Sequence, residues 1–108
     1  MYNGLADLYR EQGQFEKAFE CIDKAINIYC RTLPKEHPYI AEAYNSKGGI
    51  YFIIRDFQSA LEWYVKAYNI RMAAYGYDHT ETAKSLANIG EIYLEEVKQE
   101  EAIEDKVE

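Results

Sequence analysis

Residues 35–41 read KEHPYIA, and residues 77–83 read YDHTETA. Each stretch holds an acidic residue, then His, then Ala four residues after the His. The two copies lie 42 residues apart, and they contain both histidines of the chain. Working outward at that spacing, the match persists without a gap. Tyr2-Asn3 meets Tyr44-Asn45, and Tyr9 meets Tyr51 and Tyr93. Phe15 meets Phe57, Ala18 meets Ala60 and Ala102, and Lys24-Ala25 meets Lys66-Ala67. Asn27-Ile28 meets Asn69-Ile70, Ala41 meets Ala83, and Gly48 meets Gly90. A fixed period of this size marks a repeat architecture in which each unit is one supersecondary element. Three units follow, at about 1–37, 38–79 and a partial 80–108, forming one domain over 1–108.

Within a unit the spacing of apolar and small residues is helical. Ala41, Tyr44, Gly48 and Tyr51 recur in steps of three and four, as do Phe57, Ala60, Leu61, Tyr64 and Ala67. The tripeptides GQF at 13–15 and RDF at 55–57 read as tight turns between paired helices. Both prolines, Pro34 and Pro38, fall in one short joint, which leaves the rest free to be helical. The spacing predicts helices near 2–12, 15–32, 38–54, 57–75, 80–96 and 99–107. Gly48, Ala60, Gly90 and Ala102 lack bulk, so paired helices can approach closely there while the tyrosines fill the space around them.

Composition excludes several function classes. The chain has 108 residues, 48 % of them hydrophobic, which suits one domain with a packed core. A formal charge of −7 repels nucleic-acid phosphates and anionic membrane surfaces. No run approaches the roughly 18 apolar residues that would suggest a transmembrane helix. The start, MYNGLADLYREQ, has no basic segment followed by an apolar core, so it does not read as a signal peptide and favours a cytoplasmic location. Cys21 and Cys30 are nine residues apart, about 900° on a helix, and so on opposite faces. A disulfide between them is implausible, and both read as reduced thiols.

No catalytic or metal constellation emerges. His37 and His79 hold equivalent places in successive layers, which sit about 10 Å apart, whereas two nitrogens on one zinc must lie within about 4 Å. Each histidine reads as the end of a joint just before a helix. Pro38 suits the first helical turn. In the second joint Asp78 and Thr80 are the expected N-cap residues. Cys30 and His37 lack an orienting third group, and KGGIY at 47–51 sits within a helix and is no phosphate loop. The acidic tail EEVKQEEAIEDKVE reads as a solvated helix face.

These units resemble the tetratricopeptide repeat, whose pattern is W-x2-L-G-x2-Y, then A-x3-F, then P. The first unit offers Tyr2, Leu5, Ala6, Tyr9, Ala18, Ile22 and Ala25. The second offers Tyr44, Lys47, Gly48, Tyr51, Ala60, Tyr64 and Ala67. The third offers Leu86, Ile89, Gly90, Tyr93 and Ala102. A 42-residue unit, rather than 34, is similar to the long-repeat branch typified by kinesin light chains. Lys47 departs from the usual Leu, and Lys98-Gln99 replaces the small-aromatic turn.

The resemblance implies an all-α fold: an α-α superhelix of stacked antiparallel helix pairs, about 2.5 repeats with five or six helices. It implies no enzyme activity and no cofactor or metal. The function implied is that of a protein–protein interaction scaffold, whose first helices line a concave groove for a peptide or partner helix. Family geometry places Asn3, Asp7 and Arg10 on that groove, then Glu42, Asn45, Gly49 and Phe52, then Lys84, Ala87, Glu91 and Leu94, with Asn88 one place over. The carboxylate-gripping groove of related repeats needs a Lys and an Asn where Asn3 and Asp7 stand, so a neutral to mildly basic peptide fits better. The chain also reads as a fragment of a longer array. Exposed apolar ends are then expected, which makes self-assembly by end-to-end or domain-swapped stacking the alternative function.

Overall fold

A computed structural model describes the backbone of residues 2–107 and the side chains of residues 4–101. Five helices follow in order: α1 (Tyr2–Glu11), α2 (Phe15–Thr32), α3 (Pro38–Ile53), α4 (Phe57–Tyr75) and α5 (Thr80–Val107). They form an all-α superhelix in which α1 pairs with α2 and α3 with α4, while α3 also packs on α2 and α5 on α4. The molecule measures 55 × 34 × 18 Å with a radius of gyration of 15.2 Å. A compact domain of this length would have a radius of gyration of about 13 Å, so the excess reflects a one-dimensional stack.

The two hairpin turns are built alike. Gly13 has φ 76° and Arg55 has φ 68°, both left-handed. The residue after each sends its N–H back into the preceding helix, Gln14 to Tyr9 O at 2.9 Å and Asp56 to Tyr51 O at 2.9 Å. Gly13 N bonds Arg10 O at 3.0 Å and Arg55 N bonds Phe52 O at 3.1 Å. This paired bonding is the Schellman closure of a helix, which requires a left-handed residue at the turn. Asp56 then caps α4 by accepting from Ser59 N at 3.3 Å.

The third unit departs from the expected helix break near residue 97. One helix, α5, runs from Thr80 to Val107. The residue in register with Gly13 and Arg55 is Val97. A β-branched side chain strongly resists left-handed φ, so the Schellman turn cannot close there and the helix continues. Ala102, expected as a small packing residue on a sixth helix near 99–107, lies outside the described side chains.

Core packing follows the small-and-large alternation. Ala6, Ala18, Ile22, Ala43 and Ile50 form one buried cluster, and Phe57, Ala60, Tyr64 and Ile92 form the next. Ile50 and Ile92 are register equivalents, each inserted by a helix into the unit before it. Leu8 holds the same place in α1 and is 48 % exposed. Gly48 is buried, and a Cβ there would lie 2.7 Å from Cδ1 of Tyr64, so only glycine admits that ring. Gly90 differs from the sequence expectation: a Cβ there would meet nothing within 4 Å. Lys47, the departure from Leu, is built into the α2–α3–α4 contact. Its Nζ lies 2.7 Å from Asp23 Oδ1 and 4.3 Å from the centroid of the Trp63 ring.

Equivalent joints use opposite chemistry. Where α3 meets α2, Ile40 and Ala43 are buried and the rings of Tyr29 and Tyr39 lie 6.0 Å apart. Where α5 meets α4, the matched residues are Thr82, Ser85, Arg71 and Glu81. Arg71 is 6 % exposed and donates through Nη1 to Ser85 Oγ at 2.8 Å. Its Nη2 lies 3.5 Å from Glu81 Oε2. Thr82 Oγ1 donates to Gly76 O at 2.8 Å and reaches Arg71 O at 3.4 Å. An apolar contact at one joint is thus a satisfied polar latch at the next.

Candidate functional site: the concave groove

The groove is set by the first helix of each pair. A helix places residues three and four apart on one face, and α1, α3 and α5 lie side by side on the inner surface. A cavity of about 770 Å³ opens there. Asp7, Arg10, Glu42, Asn45, Lys84 and Asn88 line it, with Ala87 between them. Residues expected from three separate units therefore share one concavity.

Its centre is an amide pair. Asn88 Nδ2 donates to Asn45 Oδ1 at 2.8 Å, tying α5 to α3. The register partner of Asn45 is Ala87, which has no polar side chain, so the neighbouring residue makes the contact. With that bond made, the Asn45 amide nitrogen and the Asn88 carbonyl oxygen keep further capacity for a bound backbone.

The charged groups stand in opposed pairs. Arg10 Nη2 lies 3.8 Å from Asp7 Oδ1. Glu81 stands between Lys84, whose Nζ is 3.1 Å away, and Arg71. The hydrogen bond from Lys84 holds the Glu81 carboxyl below the usual carboxylate range, against partial burial, and the charges of Arg71 and Lys84 add to it. Gly49 does not line the cavity; the Arg10 guanidinium and the Tyr64 hydroxyl lie 3.1 Å and 3.7 Å from where a Cβ there would stand. Burial, and then the charge of Glu91, push Tyr64 up to about 12, while Arg10 acts the other way.

Other expected positions lie elsewhere. The side chain of Asn3 lies outside the described residues. Phe52 is half-buried, and its ring centroid is 5.4 Å from that of Phe57. Glu91 is exposed, and Leu94 is 54 % exposed beyond the cavity. Arg71, Tyr39, Tyr75 and Glu81 line the cavity without having been singled out from the sequence. Arg71 continues the Ala60, Tyr64, Ala67 spacing of the buried face of α4, and that was the available signal.

The histidines are joints. His37 Nδ1 accepts from Tyr39 N at 3.1 Å, capping α3. His79 Nδ1 accepts from Glu81 N at 3.1 Å, so His79, and neither Asp78 nor Thr80, caps α5. A ring nitrogen can take this place because it lies as far from its backbone as the oxygen of a capping Asn. Cys21 and Cys30 are free. Among the described residues no group of His, Cys, Asp and Glu is placed to hold a metal ion, and no helix is long and apolar enough to cross a membrane.

Stacked helix pairs around a concave, polar groove define an α-helical repeat solenoid. The tetratricopeptide repeat profile matches residues 1–73 and again residues 39–105, and the chain belongs to that family. Repeats of this family generally mediate protein–protein interaction. No curated protein matches the chain.

Proposed function

We propose that the chain is a non-enzymatic scaffold that holds an extended peptide in its concave groove, and that it belongs to the long-unit branch of its family. Support for the branch is the 42-residue register, kept without a gap. The observation that carries the groove reading is the convergence of Asp7, Arg10, Glu42, Asn45, Lys84 and Asn88 on one cavity of about 770 Å³. The Asn45–Asn88 pair offers one donor and one acceptor to a peptide backbone, which reads chain direction without a charge. Arg10, Arg71 and Lys84 each face an acidic neighbour in the groove, so an anionic terminus finds its cations already engaged. The partner is a neutral to mildly basic peptide.

A peptide-library screen followed by calorimetry tests this reading. Hits should lose about tenfold or more in affinity in Asn45→Ala and in Asn88→Ala, the scale of a lost buried hydrogen bond. Hits indifferent to both substitutions would remove the groove from consideration. Light scattering after gel filtration checks the other class of function. Concentration-dependent oligomers untouched by Asn45→Ala would make the chain a self-assembling module instead.

A further inference from the structure

A second surface lies on α5, on a different face from the groove. Leu86, Gly90, Tyr93 and Val97 follow at steps of four, three and four, so they form one stripe along the helix. Leu86 is 41 %, Tyr93 53 % and Val97 48 % exposed. At Gly90 a Cβ would meet nothing within 4 Å. The same stripe occurs one unit earlier on α3, where Tyr44, Gly48 and Tyr51 stand in register. There it is covered: Tyr64 of α4 lies against Gly48, and Trp63 packs its ring 5.2 Å from that of Tyr44. The α5 stripe therefore has the relief of a helix-docking seam, with the glycine notch open.

Within the described residues no helix turns back over that seam, because α5 continues through Val97 to Val107. The surroundings of the seam decide what can. Glu96, Glu100 and Glu101 are exposed beside its C-terminal end. Among the described residues the cations at this end are already engaged: Lys98 Nζ lies 3.4 Å from Glu95 Oε1, and Arg55 Nη2 lies 3.6 Å from Glu95 Oε2. A second copy docking through the same face would bring the same acidic helix against it and be repelled. An incoming helix that carries Lys or Arg beside its apolar stripe would be attracted.

We propose that the open face of α5 docks a basic amphipathic helix of a partner protein. The pairing at Gly48 specifies its form. One face carries a small residue and, four residues on, an aromatic one, as Ala60 and Tyr64 do, and the aromatic ring fills the notch at Gly90. The helix runs antiparallel to α5, as α4 runs to α3. Docking here is independent of the groove, because Lys84 and Asn88 of α5 line the groove and none of the stripe residues does.

The probes are labelled synthetic peptides with the α4 sequence, Phe57–Tyr75, one carrying Glu62→Lys and one carrying Lys66→Glu. Fluorescence anisotropy with the whole chain should show the basic peptide binding at least about tenfold tighter than the acidic one. Its affinity should fall as salt is raised through the range where the Debye length shrinks below about 10 Å. Gly90→Leu fills the notch at a point where a Cβ meets nothing within 4 Å, and should cost about tenfold in affinity with a thermal melt no lower than wild type. Tyr93→Ala should cost affinity similarly, while Asn88→Ala should leave it unchanged. Equal binding to wild type and Gly90→Leu would overturn the proposal, since the peptide would then be displacing α4 from Gly48 or lying elsewhere. A chain dimer that excludes the peptide and tightens with salt would overturn it in favour of a second copy.

Discussion

Replacing Arg71 with Met tests the polar latch between α4 and α5. The substitution keeps most of the side-chain length and removes the guanidinium. Ser85, fully buried, then loses the donor that stood 2.8 Å from its Oγ. An unsatisfied buried hydroxyl costs about 1–3 kcal/mol. Glu81 retains Lys84 and is 34 % exposed at its side chain, so loss of its second partner adds little. The expected destabilisation is about 1–3 kcal/mol, read as a fall in the urea midpoint with unchanged slope. Ser85→Ala, which installs what Ala43 supplies at the equivalent joint, should relieve part of the loss in the Arg71→Met background. A coupling of about 1 kcal/mol or more between the two sites is expected from the cycle. The full exchange Arg71→Tyr, Glu81→Tyr, Thr82→Ile and Ser85→Ala copies the apolar joint of α2 and α3 and should approach wild-type stability. A cost below about 1 kcal/mol for Arg71→Met, or additive effects at Arg71 and Ser85, would refute the latch.

Three more outcomes follow from the same contacts. Gly48→Ala should destabilise by about 1–3 kcal/mol through collision with Tyr64, whereas Gly90→Ala should stabilise by up to about 1 kcal/mol, both read by urea unfolding. Tyr64 keeps its proton longer in the folded chain than in the unfolded one, so the stability it contributes is present below about pH 10 and is lost as pH rises toward 12. Tyr64→Phe should flatten that alkaline decline by at most about 1.4 kcal/mol per pH unit, measured as the difference between the two unfolding curves. Val97→Gly restores a residue that tolerates left-handed φ, and should raise amide hydrogen exchange from residue 97 onward while leaving Thr80–Ile92 protected.

Much of the architecture was legible because it is local. The register from KEHPYIA to YDHTETA, the helix-spaced apolar residues and the turns at Gly13 and Arg55 depend on contacts within a few residues or one helix pair. The groove-facing positions Asp7, Arg10, Glu42, Asn45 and Lys84 followed from the family resemblance, and they line one cavity. The break expected near residue 97 failed for a reason also written in the sequence, since Val97 cannot take the place of Gly13. His79 was underrated as a cap because imidazole is an uncommon acceptor at that position.

The sequence by itself determined the repeat period and the first two helical hairpins, because periodicity and turn chemistry are local. Tertiary structure alone decided how equivalent positions were used. Gly48 is filled by Tyr64 and Gly90 stands open, though the two are identical in the repeat. Asn45 bonds Asn88 in place of its register partner, and Ile40 and Ala43 at one joint become Thr82 and Ser85 around a buried Arg71 at the next. These outcomes turn on the stagger and rotation of one helix pair against another. Those quantities come from the sum of side-chain volumes and hydrogen bonds across units, and no spacing along a single helix records them.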